Sequence, residues 1–540
     1  MSEIGSDNLL QRLEELSQIG IALSKEKDIN KLLEAILVAA KKLVNADGGT
    51  LYRVKDRMLH FEIVRNDSLN IAMGGSVVIP FKPIQLYDKM GQPDNHHVVT
   101  YAALHDETIN IEDAYTESNF DFSGTRQIDQ QTGYRSKSFL TVPMKNHEDQ
   151  IIGVLQLINA KDPLTGEITT FSKADQQLAE SLASQAAIAL SNRQLLDQLK
   201  VLFESLINMI NMAVDAKSPY TSGHCQRVPI LTMMLVEAVI NASAGPLKDF
   251  SLNEEELYEL KIASLLHDCG KIATPSHIVD KATKLETLFD RIQLIDTRFE
   301  VLKRDAEIQW LQEKIAACER GDSAAVQNLA EQFQRHIQQL DADREFLHRC
   351  NIGSELMSPE KQNRVKEIAA YRWINEKGEE TDFLSAEEVY DLNIPHGTLN
   401  PRERVIINNH VALTHKMLSA LPWPKNLRHI PEYAGSHHEH LDGKGYYRGL
   451  SARQLSTPAR IICLADVFEA LTARDRPYRQ GRTISEALTI LGEMVIDQHI
   501  DPDLFQIFIS AKVWRRYAEQ YLDPAQIDEV DLAKIPGYTP

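Results

Sequence analysis

The 540-residue sequence holds five cysteines, and no two of them form a CxxC pair. Cys225, Cys269, Cys318, Cys350 and Cys463 are scattered and odd in number, which argues against a disulfide framework or a clustered thiolate metal site. They read as free thiols in a reducing cytoplasm, each a small buried residue. Long apolar runs are missing too: nothing approaches the roughly 18 apolar residues of a membrane span. The opening MSEIGSDNLLQRLEE is polar and acidic, so neither a signal peptide nor a membrane partner is expected. Positive charge is scarce, with 58 Lys and Arg against 77 Asp and Glu and a net charge of −19. That excludes a nucleic-acid polymer or an anionic membrane as the main partner and leaves only a local basic pocket open. What remains is 43% apolar and 25% charged, ordinary for a soluble protein with several cores.

Residues 8–45 repeat apolar positions at three and four, in LLQRLEELSQIGIALS and INKLLEAILVAAKKLV, and so predict helix. Short strand-like runs follow: GGTLYRV, RMLHFEIV, GSVVIPF, SFLTVPMK and IIGVLQLINAK. Another helix starts near Ser172, where SKAD supplies a cap and an acidic first turn. Helix, antiparallel strands and helix make one α+β domain over 10–190. On DQQTGYRSKSFLTVPM, IIGVLQLINAK and FSKADQQLAESLASQAAIALSN this stretch resembles a GAF domain, a small-ligand sensor. The signature of cyclic-nucleotide-binding GAF domains is matched at Asn159, Lys161, Phe171 and Asp175, with Gln176 where glutamate is usual. The resemblance therefore implies the fold, and either a small ligand or a dimerisation role.

No Gly or Pro interrupts 172–218, and Leu195, Leu199, Leu202, Leu206 and Met209 step by four, three, four and three. That is an a/d seam, read as a connecting helix over 172–214 that joins two copies in a homodimer, with packing inside the chain as the alternative. Beyond it the pattern is helical, without strand alternation of comparable strength. A polar stretch over 286–395 begins with two long helical patterns that turn at Arg320-Gly321-Asp322-Ser323, and is read as a helical insertion. Residues 521–540 form a tail.

The helical half carries His224, His267-Asp268, His410, His437-His438 and Asp466. Imidazole and carboxylate suit iron, manganese or zinc. His267-Asp268 ends the apolar run IASLL, and Asp466 ends ARIICLA; a charge buried there requires compensation, and a metal supplies it. His410 lies on a helix whose apolar face is expected to be Val405, Ile406 and Leu413. His415, His429 and His440 are assigned to the core or the surface.

The ordered motifs SPYTSGHCQRV, HDCGKI, GTLNPRERVIINNH, HHEHLDGKGYYRGL and DVFEALTARDRPYR, over 205–520, resemble an HD-GYP domain, a branch of the HD metal-dependent phosphohydrolases. The resemblance implies a multidomain protein: GAF domain, long connecting helix, and all-α HD-type domain with a helical insertion. It implies hydrolysis of a cyclic dinucleotide, chiefly cyclic di-GMP, to pGpG or GMP. The alternatives are 3′,3′-cyclic GMP-AMP or pGpG as substrate, or a non-catalytic dinucleotide receptor. One divalent ion, Fe or Mn, is expected on His224, His267, Asp268 and Asp466, and a second on Asp268, His410, His437 and His438. Lys271 is expected at the phosphate or leaving oxygen, one helical turn from His267 if the helix runs on through Gly270. Tyr446, Arg476 and Arg479 are expected to meet substrate. Tyr447 replaces the signature proline. Tyr220 stands where three-metal members carry a glutamate, and with a phenol pKa of about 10 it is a poor ligand, so two ions are expected.

Overall fold

The computed structural model describes residues 2–539 except 76, 218–222, 354–355, 376 and 475–480, with side chains from residue 11 onward. The chain divides into two compact units, 1–204 and 205–540.

The first unit is α1 (Ser2–Lys25), α2 (Ile29–Leu43), β1 (Ala46–Lys55), β2 (Met58–Asn66), β3 (Ile71–Gly74), β4 (Ile84–Gln85), α3 (Val98–His105), β5 (Ile109–Ile111), α4 (Ser123–Thr132), β6 (Phe139–Lys145), β7 (Ile151–Lys161) and β8 (Ile168–Thr169). The antiparallel sheet runs β3-β2-β1-β7-β6-β5, with β4 on β2 and β8 on β7. Asp28 starts α2 by accepting the N–H groups of Asn30 and Lys31. Its face of Leu32, Leu33, Ile36 and Leu37 packs with Leu51, Leu155 and Leu157 of the sheet and with Leu178 and Leu182 of the next helix. On the opposite face Val99 and Ala103 of α3 pack on Tyr52 and Val154.

The signature side chains brace this domain. Asn159 donates to the Tyr134 hydroxyl and accepts from the Lys137 and Ser138 N–H groups. Lys161 pairs with buried Asp47, and Phe171 is buried. Asp175 accepts the Ser172 N–H and pairs with Arg12 at 2.6 Å.

Helix α5 (Lys173–Lys217) is a single run of 45 residues. Leu195, Leu199, Leu202, Leu206 and Met209 along it are 44%, 60%, 55%, 45% and 59% exposed.

The second unit continues with α6 (His224–Ile240), α7 (Glu254–Leu266), α8 (Ser276–Val279), α9 (Ile292–Glu319), α10 (Ser323–Ile352), α11 (Pro359–Ala369), β9 (Arg372–Ile374), β10 (Glu380–Asp382), α12 (Ala386–Leu392), α13 (Pro401–Ser419), α14 (Ile430–Ala434) and α15 (Thr457–Thr472). Three more helices, Ile484–Ile496, Pro502–Ser510 and Val513–Tyr521, follow. Asn253 and Asn400 open α7 and α13 with capping boxes, and Asp322 caps α10. Helices α9 to α12 enclose a core of their own around Phe299, Phe346, Leu347 and Phe383. Among the described residues a small hairpin of β9 and β10 joins the helices of this half. Cys318 corrects the expectation that every thiol is buried: it is exposed, while the other four are buried. Among the described residues no helix is long and apolar enough to cross a membrane.

Candidate metal centre

The second unit gathers His224, His267, Asp268, His410, His437, His438 and Asp466 into three overlapping groups, and within each group the candidate donor atoms lie within 4.8 Å of one another. Local structure sets each one. His224 is the first residue of α6, and His267 is the cap residue that ends α7. Asp268 leads a 3-10 turn over Cys269–Ala273, and Gly270 lets that turn press against α13. A Cβ at Gly270 would lie 2.1 Å from the His410 carbonyl oxygen, and its N–H donates to Thr414 Oγ1 at 2.9 Å. Any side chain there would push Asp268 away from His410.

The buried face of α13 is His410, Val411, Thr414 and Leu418. Val405 and Ile406 are 71% and 43% exposed, which corrects the apolar face expected from them. Val405, five residues before His410, points off its face; Ile406 is in line with His410, Thr414 and Leu418 at steps of four, yet it is exposed where they are buried.

The carboxylate of Asp268 is the hub. Its Oδ2 lies 3.3 Å from His224 Nε2 and 3.3 Å from His267 Nε2, and its Oδ1 lies 3.3 Å from His410 Nε2 and 4.0 Å from His437 Nε2. Asp466 Oδ1 lies 3.1 Å from His224 Nε2 and 3.6 Å from His267 Nε2. Hydrogen bonds on the far side of the rings fix their tautomers. Nδ1 of His267, His410 and His437 donates to the carbonyls of Ser264, Ile407 and Ala434 at 2.8, 2.5 and 2.6 Å. A carbonyl can only accept, so in the neutral ring the proton sits on Nδ1 and Nε2 offers a lone pair. Nε2 of all three rings and Asp268 Oδ1 are buried without a hydrogen-bond partner. Lone pairs facing lone pairs in a buried site are costly, and a cation satisfies all of them at once. The donor set fits divalent transition ions.

Charge among these side chains divides the cluster. Burial opposes ionisation throughout. Against it, Glu469, Asp268 and Asp466 hold His224 well above the ordinary imidazole value, and Asp268 and Asp466 hold His267 up to about 9. Lys271, His267 and His224 hold Asp268 well below the carboxylate range, and His224 and His267 do the same for Asp466. Burial and then His267 push His437 down to about 3, and burial and then His437 push His438 well down.

Lys271 reaches Asp268 Oδ2 at 2.6 Å, but not by a continuing helix. Helix α7 stops at Leu266, and the 3-10 turn brings Lys271 to Asp268 at i+3, correcting the expected i+4 alignment with His267. Tyr446 stacks on His438 with centroids 4.9 Å apart and planes 25° apart. Tyr447 is 38% exposed, its ring 5.8 Å from that of His415. Arg476, Arg479 and Tyr220 lie outside the described residues.

Two carboxylates escaped the sequence reading. Glu439 is buried and accepts the N–H groups of Arg448 and Leu450 at 2.8 Å each, folding the glycine-rich turn back on the histidine pair. Glu469, also buried, meets His224 Nδ1 with one oxygen and Arg227 Nε at 2.6 Å with the other. Its signal was present: it follows Asp466 by three residues in an apolar helix and so shares that face. His440 instead stacks on His499 at 3.7 Å.

Comparison with known proteins places two families on the chain. The GAF domain family matches residues 28–190 and the HD domain family residues 386–504. The latter stretch holds His410, His437, His438 and Asp466, while His224, His267 and Asp268 precede it. A Vibrio cholerae serotype O1 protein named 3′3′-cGAMP-specific phosphodiesterase 3 is 41% identical over 302 residues, 56% of this chain and 37% of that protein. Another from the same organism, 3′3′-cGAMP-specific phosphodiesterase 1, is 35% identical over 125 residues, 23% of this chain and 27% of that protein. The chain thus spans less than two-fifths of the length of these relatives. The solved GAF domain of a phosphoenolpyruvate-protein phosphotransferase from Coxiella burnetii aligns at 14% identity with a TM-score of 0.28, covering 35% of this chain and 99% of that one.

Proposed function

We propose that this chain, which carries a GAF domain and an HD domain, is a metal-dependent phosphodiesterase that hydrolyses a cyclic dinucleotide under control of its GAF domain. The observation that carries the reading is the pair of buried Nε2 lone pairs on His410 and His437, unpartnered and turned toward the unpartnered Oδ1 of Asp268. Two divalent ions, Fe or Mn, would be held by His224, His267, Asp268 and Asp466 and by Asp268, His410, His437 and His438. Ions so placed would polarise the phosphoryl oxygens and lower the pKa of water toward neutrality.

The chain's own groups do the rest. The Asp268 hub turns Oδ2 toward His224 and His267 and Oδ1 toward His410 and His437, so one carboxylate would serve both ion sites. Burial works against charge on Lys271, but Asp268 and Asp466 hold its pKa above the usual lysine value, so it stays an ammonium at neutral pH. It is placed to donate to a phosphoryl oxygen or to the departing 3′ oxygen as water's oxygen bonds to phosphorus and the P–O3′ bond breaks. Tyr446, stacked on His438, borders the site where a base or ribose would lie. Arg476 and Arg479 would complete the phosphate contacts.

Cyclic di-GMP is the substrate favoured by the ordered motifs. The names of the two Vibrio cholerae relatives favour 3′3′-cGAMP as a second reading. The exposed leucine seam of α5 supports a homodimer through the connecting helix. The test is turnover by the full chain, loaded anaerobically with Fe(II) or Mn(II), of cyclic di-GMP and 3′3′-cGAMP side by side. Conversion of either to a linear product is expected. Bound metal with no turnover of any cyclic dinucleotide would make the protein a receptor instead.

A further inference from the structure

Three of the ring-fixing contacts in the cluster are alike, and the fourth is not. His267, His410 and His437 each lean on a neutral backbone carbonyl three residues earlier in their own segment. His224 begins its helix and leans on a carboxylate from another one. Glu469 is 1% exposed, so that carboxylate is no surface accident. Its other oxygen takes the Arg227 Nε–H at 2.6 Å, and Arg227 lies one turn beyond His224 on α6. Helix α6 therefore grips both oxygens of a residue from α15, the helix that also supplies Asp466. The grip holds His224 Nε2 at 3.1 Å from Asp466 and 3.3 Å from Asp268.

We propose that Glu469 is a positioning residue that makes the two ion sites unequal, strengthening the one that includes His224. This rests on the two-ion reading above. A carboxylate behind a ligating imidazole fixes its tautomer, orients the ring and makes it a stronger donor, and losing such a partner typically costs about 10–100-fold in metal affinity. The ion on His224, His267, Asp268 and Asp466 has this extra anion behind it; no such carboxylate contacts His410 or His437 among the described residues. Glutamine at 469 keeps the shape but not the function. Its amide oxygen can accept from His224 or from Arg227, while its NH2 is left facing the other donor.

The test is Mn(II) titration of the full-length protein, following bound ions by electron paramagnetic resonance and checking the fold by circular dichroism. The site near His224 is identified as the one retained in H438A. Glu469→Gln is expected to weaken that ion by about 10–100-fold and to leave the other within about threefold. Should Glu469→Gln fail to fold, Arg227→Met, which frees one oxygen of Glu469, is expected to shift the same ion in the same direction by less. Unchanged binding of both ions, or equal weakening of both, would overturn the proposal while the two-ion reading stood. Wild-type protein that binds no ion would overturn the reading beneath it.

Discussion

Asp47 in the GAF domain and Asp268 in the HD-bearing half are both buried carboxylates, with side chains 0% and 2% exposed, yet their surroundings are opposite in kind. Asp47 is closed off by donors. Lys161 and Ser68 reach one oxygen and Tyr134 the other, and the Tyr134 hydroxyl in turn accepts from Asn159. Asp268 is closed on one side only: Lys271 reaches Oδ2, with His224 and His267 Nε2 3.3 Å from it, while Oδ1 has no donor and looks at His410 and His437 nitrogens that have lone pairs to give. A closed network holds a fold together. An open one, built at the same burial, is strained until a cation arrives. The same contrast separates a residue that matches a signature from one that performs its chemistry: Asn159, Lys161, Phe171 and Asp175 are all occupied in bracing their own domain.

The largest predicted difference comes from removing the two carboxylates in turn. Asp268→Ala is expected to take bound metal from about two ions per chain to near zero and turnover to background. Elemental analysis of purified protein that still showed two ions would break the comparison at its centre. Asp47→Ala is expected to leave the metal content untouched and to destabilise the first unit by about 2–3 kcal/mol, because Tyr134 and Lys161 lose a buried partner. A lowered thermal midpoint with unchanged metal would sharpen the contrast, and loss of metal would blur it.

A smaller effect divides the cluster itself. His267 is held up to about 9, so near pH 7 it carries a proton that must leave before Nε2 can bind an ion. His437, pushed down to about 3, has none to release. Affinity on the His224 side should therefore rise with pH until about 9, and loading there should release protons. The His437 and His438 rings, both held down, should contribute almost no release above pH 5. Calorimetry of wild-type and H438A protein in two buffers of different ionisation enthalpy reads this directly, and loading without proton release would contradict it.

Much of the site was legible because its residues end apolar runs: IASLL before His267 and ARIICLA before Asp466 announce polar groups carried into a core. What failed was geometry that depends on partners far away in the chain. Val405 and Ile406 look like a helix face until α13 is docked, and only then is it clear that Val411, Thr414 and Leu418 are the buried set. The 3-10 turn under Lys271 arises because Gly270 must pass the His410 carbonyl, a constraint set by a helix 140 residues later. The core of α9 to α12 pairs Phe299 with Phe383, ring centroids 4.6 Å apart, and no local pattern links those two positions. Glu469 and Glu439 were readable as residue types but not as roles, since a buried glutamate shows its purpose only through what it touches.

The measurement closest to the central claim is the ion count of the wild-type, full-length protein after anaerobic loading with Fe(II) or Mn(II) and removal of free metal. Two ions per chain are predicted by elemental analysis. A count near zero would mean that the facing lone pairs around Asp268 are satisfied in some other way, and a stable count of one or three would contradict the assignment of Asp268 as the bridge between exactly two ions.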